Sequence, residues 1–412
     1  MSKPDLRISV ISDVHVTHFG AGEQEFERAL KFHTEKLPES DLYLFTGDII
    51  YQLDSSKEST CNNIYESNYD FVMKTINAYI PDIPKIFVLG NHEFPQNNTD
   101  PVLTEKAMEV WQKKTGQHAM EHVILNDYHF IKAPIVSWAM ESSAERENWL
   151  KNELEIALSD GDKPVFLVTH DALHTTVGCS SAKPKSFTED FRRFLTKHPK
   201  IIHISGHMHN HILDEKSIYQ EGFTSLSAPV CGVGYICMGG CDYLHPPVTG
   251  FSQSLFLEIT GKVVKVYRVD LVSGQIIGAP WVIDLNETEK GIYRYGADRV
   301  ITAKRPAFSP EAGVSVAVLE DSFSATVTQK FLHFDICVPY YMFQLVNEKG
   351  DILWTQPEHT DFYNLSLGKH YAENMTFSFP KPEPGKYTLR VFPANSFLAH
   401  DDKSISCSFC VE

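Results

Sequence analysis

Asp13 and His15 lie in SDVH, Asp48 in TGD, Asn91, His92 and Glu93 in GNHE, His170 in VTH, and His207 and His209 in GHMH. Every one of these side chains offers oxygen or nitrogen, the donor types that accept manganese, iron, zinc or nickel. Asp13, His15, Asp48, Asn91, His170, His207 and His209 make up a set too large for one four-coordinate ion. The set suits two metal ions about 3.5–4 Å apart with one carboxylate bridging them. Two divalent ions against two aspartates leave a surplus of positive charge that attracts an anionic phosphate. A water shared by such a pair loses a proton near neutral pH and becomes the hydroxide nucleophile.

The spacing of the donors points to the elements that must carry them. Each cluster ends a short apolar run: ISVIS, LYLF, IFVL, VFLV and IIHIS. In α/β sheets, ligands gather outside the carboxyl ends of strands, so five strands aim their polar ends at one edge. Between the runs lie stretches with helical periodicity. Phe26, Ala29, Leu30 and Leu37 recur at that spacing in GEQEFERALKFHTEKL, and YESNYDFVMKTINAYI, ERENWLKNELEIAL and FTEDFRRFLTKH read the same way. Asp100 and Pro101 start a helix over VLTEKAMEVWQKKT, and Gly116 stops it. APIVSWA reads as a further strand. Strands alternating with helices predict an α/β fold with packed layers.

From about Ser217 the pattern changes to strands alone, beginning with a hairpin, SLFLEIT and VVKVYRVDL, turned at Gly261. The chain is expected to form two domains, residues 1–298 and 306–412, the second a small β-sandwich. Its PEPGKYTLRV segment resembles the late strand entry of fibronectin type III domains, which implies a fibronectin III-like or immunoglobulin-like sandwich.

Taken together and in this order, D-x-H, GD, GNHE, a lone histidine and GHxH resemble the calcineurin-like metallophosphoesterase family over roughly residues 10–210. The resemblance implies a two-sheet αββα sandwich. It implies that Asp13, His15 and His209 hold a first metal, and that Asn91, His170 and His207 hold a second, with Asp48 as the bridge. Asn91 and His92 would meet the substrate, with His92 near the leaving oxygen as general acid or transition-state donor. One departure stands out. Many protein phosphatases of the family read G-D-x-x-D, the later aspartate orienting the histidine, whereas this chain has Tyr51 there. Glu93 or Asp54 is then the expected partner of His92.

Other polar residues take plainer readings. His203 lies inside a strand and is expected in the core, His211 in solvent or behind the ligands, and His18 either at the surface or against substrate. His118, His122 and His129 read as structural, and His174 as a loop residue. The CGVGYICMGGC run reads as a buried turn with free thiols or as pocket lining. Cys407 and Cys410 form a lone CxxC, weak as a zinc signal without a second pair.

Composition narrows the function. With 42% hydrophobic and 22% charged residues the chain is an ordinary globular protein. Its net charge of −16 disfavours polymeric nucleic acid, which basic stripes usually meet. The apolar start, LRISVIS, runs straight into Asp13 and reads as a buried strand, not a signal peptide, and no window has the length of a membrane span. A cytoplasmic protein with reduced thiols and no membrane partner is expected. The members of the family that this pattern resembles most imply a phosphodiesterase on small esters such as cyclic nucleotides. The alternatives are a phosphomonoesterase or nucleotide pyrophosphatase on the same centre, or a non-catalytic scaffold.

Overall fold

A computed structural model describes residues 3–16, 21–51, 58–94, 101–135, 143–181, 185–232, 237–238, 242–243, 251–332 and 337–412. The chain divides into two compact units, Met1–Ala297 and Asp298–Glu412.

In the first unit the predicted alternation takes shape as β1 (Leu6–Ile11), α1 (Ala21–Glu35), β2 (Leu42–Phe45), α2 (Glu58–Tyr79), β3 (Lys85–Phe87) and α3 (Pro101–Thr115). A second series follows: β4 (Glu121–Leu125), β5 (Tyr128–Lys132), α4 (Ser143–Ser159), β6 (Val165–Val168), α5 (Glu189–Leu195), β7 (Ile201–Ser205), β8 (Ile218–Gln220) and β9 (Thr224–Ser227). β1, β2 and β3 run parallel, with Ile11 beside Phe45 and Phe45 beside Phe87. The hairpin Gln253–Thr260 with Val263–Asp270 extends that sheet from the other side of β1. The second sheet runs in the order β4-β5-β6-β7-β9-β8, with Lys132 beside Val168 and Val168 beside Ile204. These registers bring the carboxyl ends of each parallel set level at one edge.

Apolar residues on both faces of the strands decide the layering, because a sheet buried on both sides needs little alternation. Ile8, Val10, Leu44, Phe130, Phe166, Ile202 and Leu257 share one core between the two sheets. On its outer face, the first sheet packs Phe45 and Phe87 against Phe26, Ala29 and Leu30 of α1 and Trp111 of α3. The second sheet packs Ile131, Leu167 and Ile201 against Leu150 and Leu154 of α4 and Phe191 of α5. The result is two mixed sheets faced by helices.

The APIVSWA expectation requires correction. The strand is Tyr128–Lys132, and Ala133–Ile135 is irregular; the rest of the run lies outside the described residues. Pro134 has no N–H to give a ladder, which ends pairing there. The strand is half of a hairpin with β4, turned at Asn126 and Asp127, both at positive φ (51° and 60°), as a two-residue type I′ turn requires. That Asn-Asp pair was the available signal. Within the hairpin His122 bonds Glu153 at 2.8 Å and His129 at 2.8 Å, which agrees with a structural role.

A buried polar bridge ties α1 to the first sheet. His33 Nδ1 lies 2.6 Å from Ser9 Oγ, and its Nε2 lies 2.7 Å from Ser254 Oγ. Burial lowers the His33 pKa from 6.5 to about 3. The unfolded chain therefore binds a proton below pH 6.5 that the folded one refuses, so this contribution is complete above 6.5 and is lost as the pH falls toward 3. Between pH 7 and pH 5 we expect a stability loss of roughly 2 kcal/mol from this residue. Urea unfolding of the wild type and His33→Gln at both pH values checks it; equal pH slopes would refute the assignment.

Apart from two short helical turns, Arg299–Thr302 and Phe362–Leu365, the regular structure among the second unit's described residues is β, in two antiparallel sheets. Gly313–Val318, Ser322–Thr328 and Asn374–Pro380 form one, and Ile352–His359, Tyr340–Asn347, Gly385–Ala394 and Ile405–Val411 the other, each in that order across the sheet. Phe323, Phe343, Phe379, Leu389 and Val391 fill the core. Cys407 and Cys410 sit three apart on one strand and so point to opposite faces, which cannot make a common zinc site.

Candidate metal centre

The site is built where the parallel strands end. Asp13 and His15 follow β1, Asp48 follows β2, and Asn91 and His92 follow β3. From the second sheet, His170 follows β6, and His207 and His209 follow β7. The two sheets thus bring their donors to one volume from opposite sides.

Backbone conformation at these turns is unusual. Asp13, His15, Asp48, His207 and His209 all have φ between 49° and 65°, a region that costs a non-glycine residue energy and clusters at functional sites. The turns double back so tightly that two glycines are needed for space. A Cβ on Gly90 would stand 2.2 Å from Asp48 Oδ1, and one on Gly206 would stand 2.2 Å from Ser12 Oγ and 2.8 Å from Asp13 Oδ2. This is why glycine precedes Asn91 and His207.

Three groups of side chains bring ligand atoms within 4.8 Å of one another: Asp13, His15 and His209; His15, Asp48 and His92; and Asp48, His170 and His207. The first and third contain the donors expected of the two ions. The second places His92, expected from sequence to meet the substrate and assist its leaving oxygen but not to hold a metal, within reach of the same volume. His209 Nε2 lies 3.1 Å from Asp13 Oδ1, His170 Nε2 3.1 Å from Asp48 Oδ2, and His15 Nε2 3.5 Å from Asp48 Oδ2. Asn91 Oδ1 is buried without a hydrogen-bond partner. The remaining nitrogen of His170, Nδ1, faces the Thr46 carbonyl at 2.8 Å and must donate to it, which turns Nε2 toward the cluster, where a cation would take the place of the proton that Nε2 holds beside the two aspartates. An orphaned amide oxygen, an oriented imidazole and two carboxylates fit cations.

The electrostatics agree. Burial pushes the Asp13 carboxyl up, but the nearby His209 and His170 hold it at about 2. Burial acts the same way on Asp48, and His170 and His92 carry it well below the usual range. His170 moves to about 10: burial lowers it, and the Asp48 and Asp13 charges more than reverse that. The pocket selects positive charge. Burial lowers His92 to about 4, so its imidazole is neutral near pH 7 and has one N–H to offer.

Glu93 has a different task from the one expected of it. Buried at 1% exposure, it accepts the backbone N–H groups of Asp48 (2.9 Å), Ile49 (2.6 Å), Ile50 (3.2 Å) and Gly90 (2.6 Å). It clamps the Asp48 turn to the Asn91 turn and does not serve as the orienting carboxylate of His92. The other suggested partner, Asp54, and His18 lie outside the described residues. Arg146 is a second supporting residue that sequence reading missed. It pairs in the interior with Asp171 at 3.2 Å and bonds the Pro134 and Ser186 carbonyls, which anchors the chain just past His170. Neither role leaves a local pattern, since the Asp48 turn that Glu93 holds and the Asp171 that Arg146 pairs with are distant in sequence.

His203 is fully buried, 2.8 Å from Thr169 Oγ1, as a core histidine should be. His211 differs from the solvent reading. It is also fully buried, accepting the Leu213 N–H at 3.1 Å on Nδ1, with Gln253 Nε2 2.9 Å from its Nε2. The loop after β7 folds inward against the hairpin instead of outward. His174 lies in a loop, its Nδ1 3.1 Å from the Ser180 carbonyl. Cys231 and Gly232 pack under the first turn, Gly232 donating to the Asp13 carbonyl at 2.9 Å. Of the rest of that Gly-rich run only Cys237–Met238 is described, a short strand paired with Asp242–Tyr243 beyond it.

No curated protein matches the chain. Solved structures similar to it include a predicted phosphoesterase from Streptococcus pneumoniae TIGR4, 12% identical, covering 69% of this chain and 99% of that one with a TM-score of 0.30. Another is wild-type Vps29 from Entamoeba histolytica complexed with zinc, 15% identical, covering 68% of this chain and 100% of that one, TM-score 0.29. At such identities and TM-scores nothing about substrate or residue roles transfers. A family model described as calcineurin-like phosphoesterase matches residues 6–211, the span that holds every donor described above. By that match, the chain belongs to the calcineurin-like phosphoesterase family.

Proposed function

We propose that the protein is a metal-dependent hydrolase of small phosphodiesters, cyclic nucleotides among them, working on a dinuclear centre of Asp13, His15, Asp48, Asn91, His170, His207 and His209. The observation that carries the reading is the convergence of Asp13, His15 and His209 with Asp48, His170 and His207, supported by an Asn91 Oδ1 that is buried without a hydrogen-bond partner. Two ions bound there would neutralise phosphate charge and bring the pKa of water near neutrality. The chain supplies the rest. Asp13 and Asp48 concentrate positive charge, the Thr46 carbonyl sets the His170 tautomer, and the neutral His92 imidazole donates toward the leaving oxygen.

The net charge of −16 supports a small ester in preference to long nucleic acid. Among the described residues no helix is long and apolar enough to cross a membrane. Turnover of bis(p-nitrophenyl) phosphate and p-nitrophenyl phosphate with added manganese, and elemental analysis of the purified protein for manganese, iron, zinc or nickel, test the proposal. Diester turnover with about two ions per chain is expected. Monoester turnover alone would overturn the diester preference, and no turnover with either, metals loaded, would favour a scaffold.

For the second unit we read a fibronectin III-like or immunoglobulin-like sandwich. The three-plus-four division of its strands supports this, as does Tyr387, whose hydroxyl donates to the Glu383 carbonyl at 2.7 Å in the manner of a tyrosine corner. A solved structure of the unit with another strand order would overturn it.

A further inference from the structure

The two carboxylate oxygens of Asp13 are used differently. Oδ2 accepts the Ser12 hydroxyl at 2.5 Å and the His207 backbone N–H at 3.1 Å. Oδ1 is turned toward the donor imidazoles, 3.1 Å from His209 Nε2 and 3.9 Å from His170 Nε2. We propose that Ser12 is a positioning residue of the metal centre: its hydroxyl holds Oδ2 and so fixes Oδ1 as the oxygen that Asp13 presents to the first ion. The inference deepens the dinuclear reading above and rests on it.

The physical case begins with the carboxylate torsion. The last torsion of an aspartate is broad and roughly two-fold, so a carboxylate without a fixed partner turns and exchanges its oxygens. The His207 N–H does not choose between them, since it lies 3.1 Å from Oδ2 and 3.2 Å from Oδ1. The Ser12 hydroxyl does choose. An ionised carboxylate only accepts, so Ser12 is the donor, and its 2.5 Å contact falls in the range of about 2.5–2.7 Å that marks a hydroxyl bound to a charged oxygen. Such charge-assisted bonds are roughly twice as strong as neutral ones.

Ser12 is itself held from both sides. The Thr46 N–H donates to the Ile11 carbonyl at 3.1 Å and the Asp13 N–H to the Gly47 carbonyl at 3.1 Å, which ties the residues flanking Ser12 to the end of β2. On the other side, the Ser12 carbonyl accepts the Cys231 N–H at 2.9 Å, beside a bridge to Val230. Ser12 is fully buried, and Gly206 closes over it. The place a Cβ would take on Gly206, 2.2 Å from Ser12 Oγ and 2.8 Å from Asp13 Oδ2, is already filled by the hydroxyl and carboxylate. The loop that delivers His207 and His209 therefore packs directly on the contact that orients Asp13.

The experiment titrates metal-free wild type and Ser12→Ala with Mn²⁺ by isothermal calorimetry, and measures urea unfolding of the same metal-free proteins. The substitution deletes one oxygen and adds no bulk. The wild type is expected to take up two ions. In Ser12→Ala one binding step should weaken about 10- to 100-fold, the usual cost of removing an outer partner of a metal ligand, with the other step within about threefold. A variant that loses stability while both affinities stay at the wild-type level has lost packing alone, which overturns the proposal. Equal weakening of both steps also overturns it, because the hydroxyl would then support the centre as a whole and not Asp13. A wild type that takes up no manganese refutes the dinuclear centre itself, and Ser12's role with it. That result is distinct from two ions in the wild type and an unaffected Ser12→Ala, which removes Ser12 alone.

Discussion

Asp48→Asn is expected to cut metal-dependent turnover on the order of 10³-fold, the scale of losing a principal electrostatic partner in an active site. Asp48 is 1% exposed and faces His15, His92 and His170 at 3.5, 3.8 and 3.1 Å. Among the described residues no other carboxylate groups with all three. Asparagine is the informative replacement because the backbone there sits at φ 51°, which asparagine tolerates better than most residues. An amide oxygen can also keep the acceptor role toward the His92 N–H, now 2.8 Å away. The variant therefore removes charge and leaves the turn. Metal affinity should weaken beyond the roughly 10- to 100-fold that an outer partner costs, read by elemental analysis and titration calorimetry. A variant that keeps its ions and turns over within about tenfold of the wild type would remove Asp48 from the centre.

Glu93→Ala is expected to cost about 4 kcal/mol of stability, at the high end for one substitution. The cause is arithmetic on donors. Four backbone N–H groups, those of Asp48, Ile49, Ile50 and Gly90, converge on this carboxylate in the interior. A buried donor left without an acceptor costs about 1–3 kcal/mol, and water entering the space recovers part of it. Since the two turns so joined carry Asp48 and Asn91, metal affinity should fall with stability although Glu93 lies in none of the donor groups. Urea unfolding and ion content report the two effects. Glu93→Gln, with one acceptor oxygen remaining, should lie between the wild type and alanine. An alanine variant within about 1 kcal/mol of the wild type and fully loaded would show that the clamp does not hold the turns.

The donors themselves were legible because their chemistry is local. A strand that ends in GD, GNHE or GHMH announces both its boundary and the ligand types beyond it. The long helices were legible for a similar reason: Phe26, Ala29 and Leu30 repeat at helical spacing and all three are buried. Reading failed where the deciding partner was remote. His211, expected in solvent or behind the ligands, is buried because the loop after β7 packs against Gln253; the strand before APIVSWA is fixed by its pairing with β6, and Pro134, local to the run, ends it.

By itself, the sequence determined which side chains could serve a phosphoesterase centre, in what order, and at the ends of which apolar runs, since residue type and strand alternation need no knowledge of distant neighbours. Only the tertiary structure decided that two sheets face their carboxyl edges together and that Glu93 ties two turns. Those outcomes follow from packing and hydrogen bonding between segments far apart in the chain, where the same residue has many possible partners and only the fold selects one.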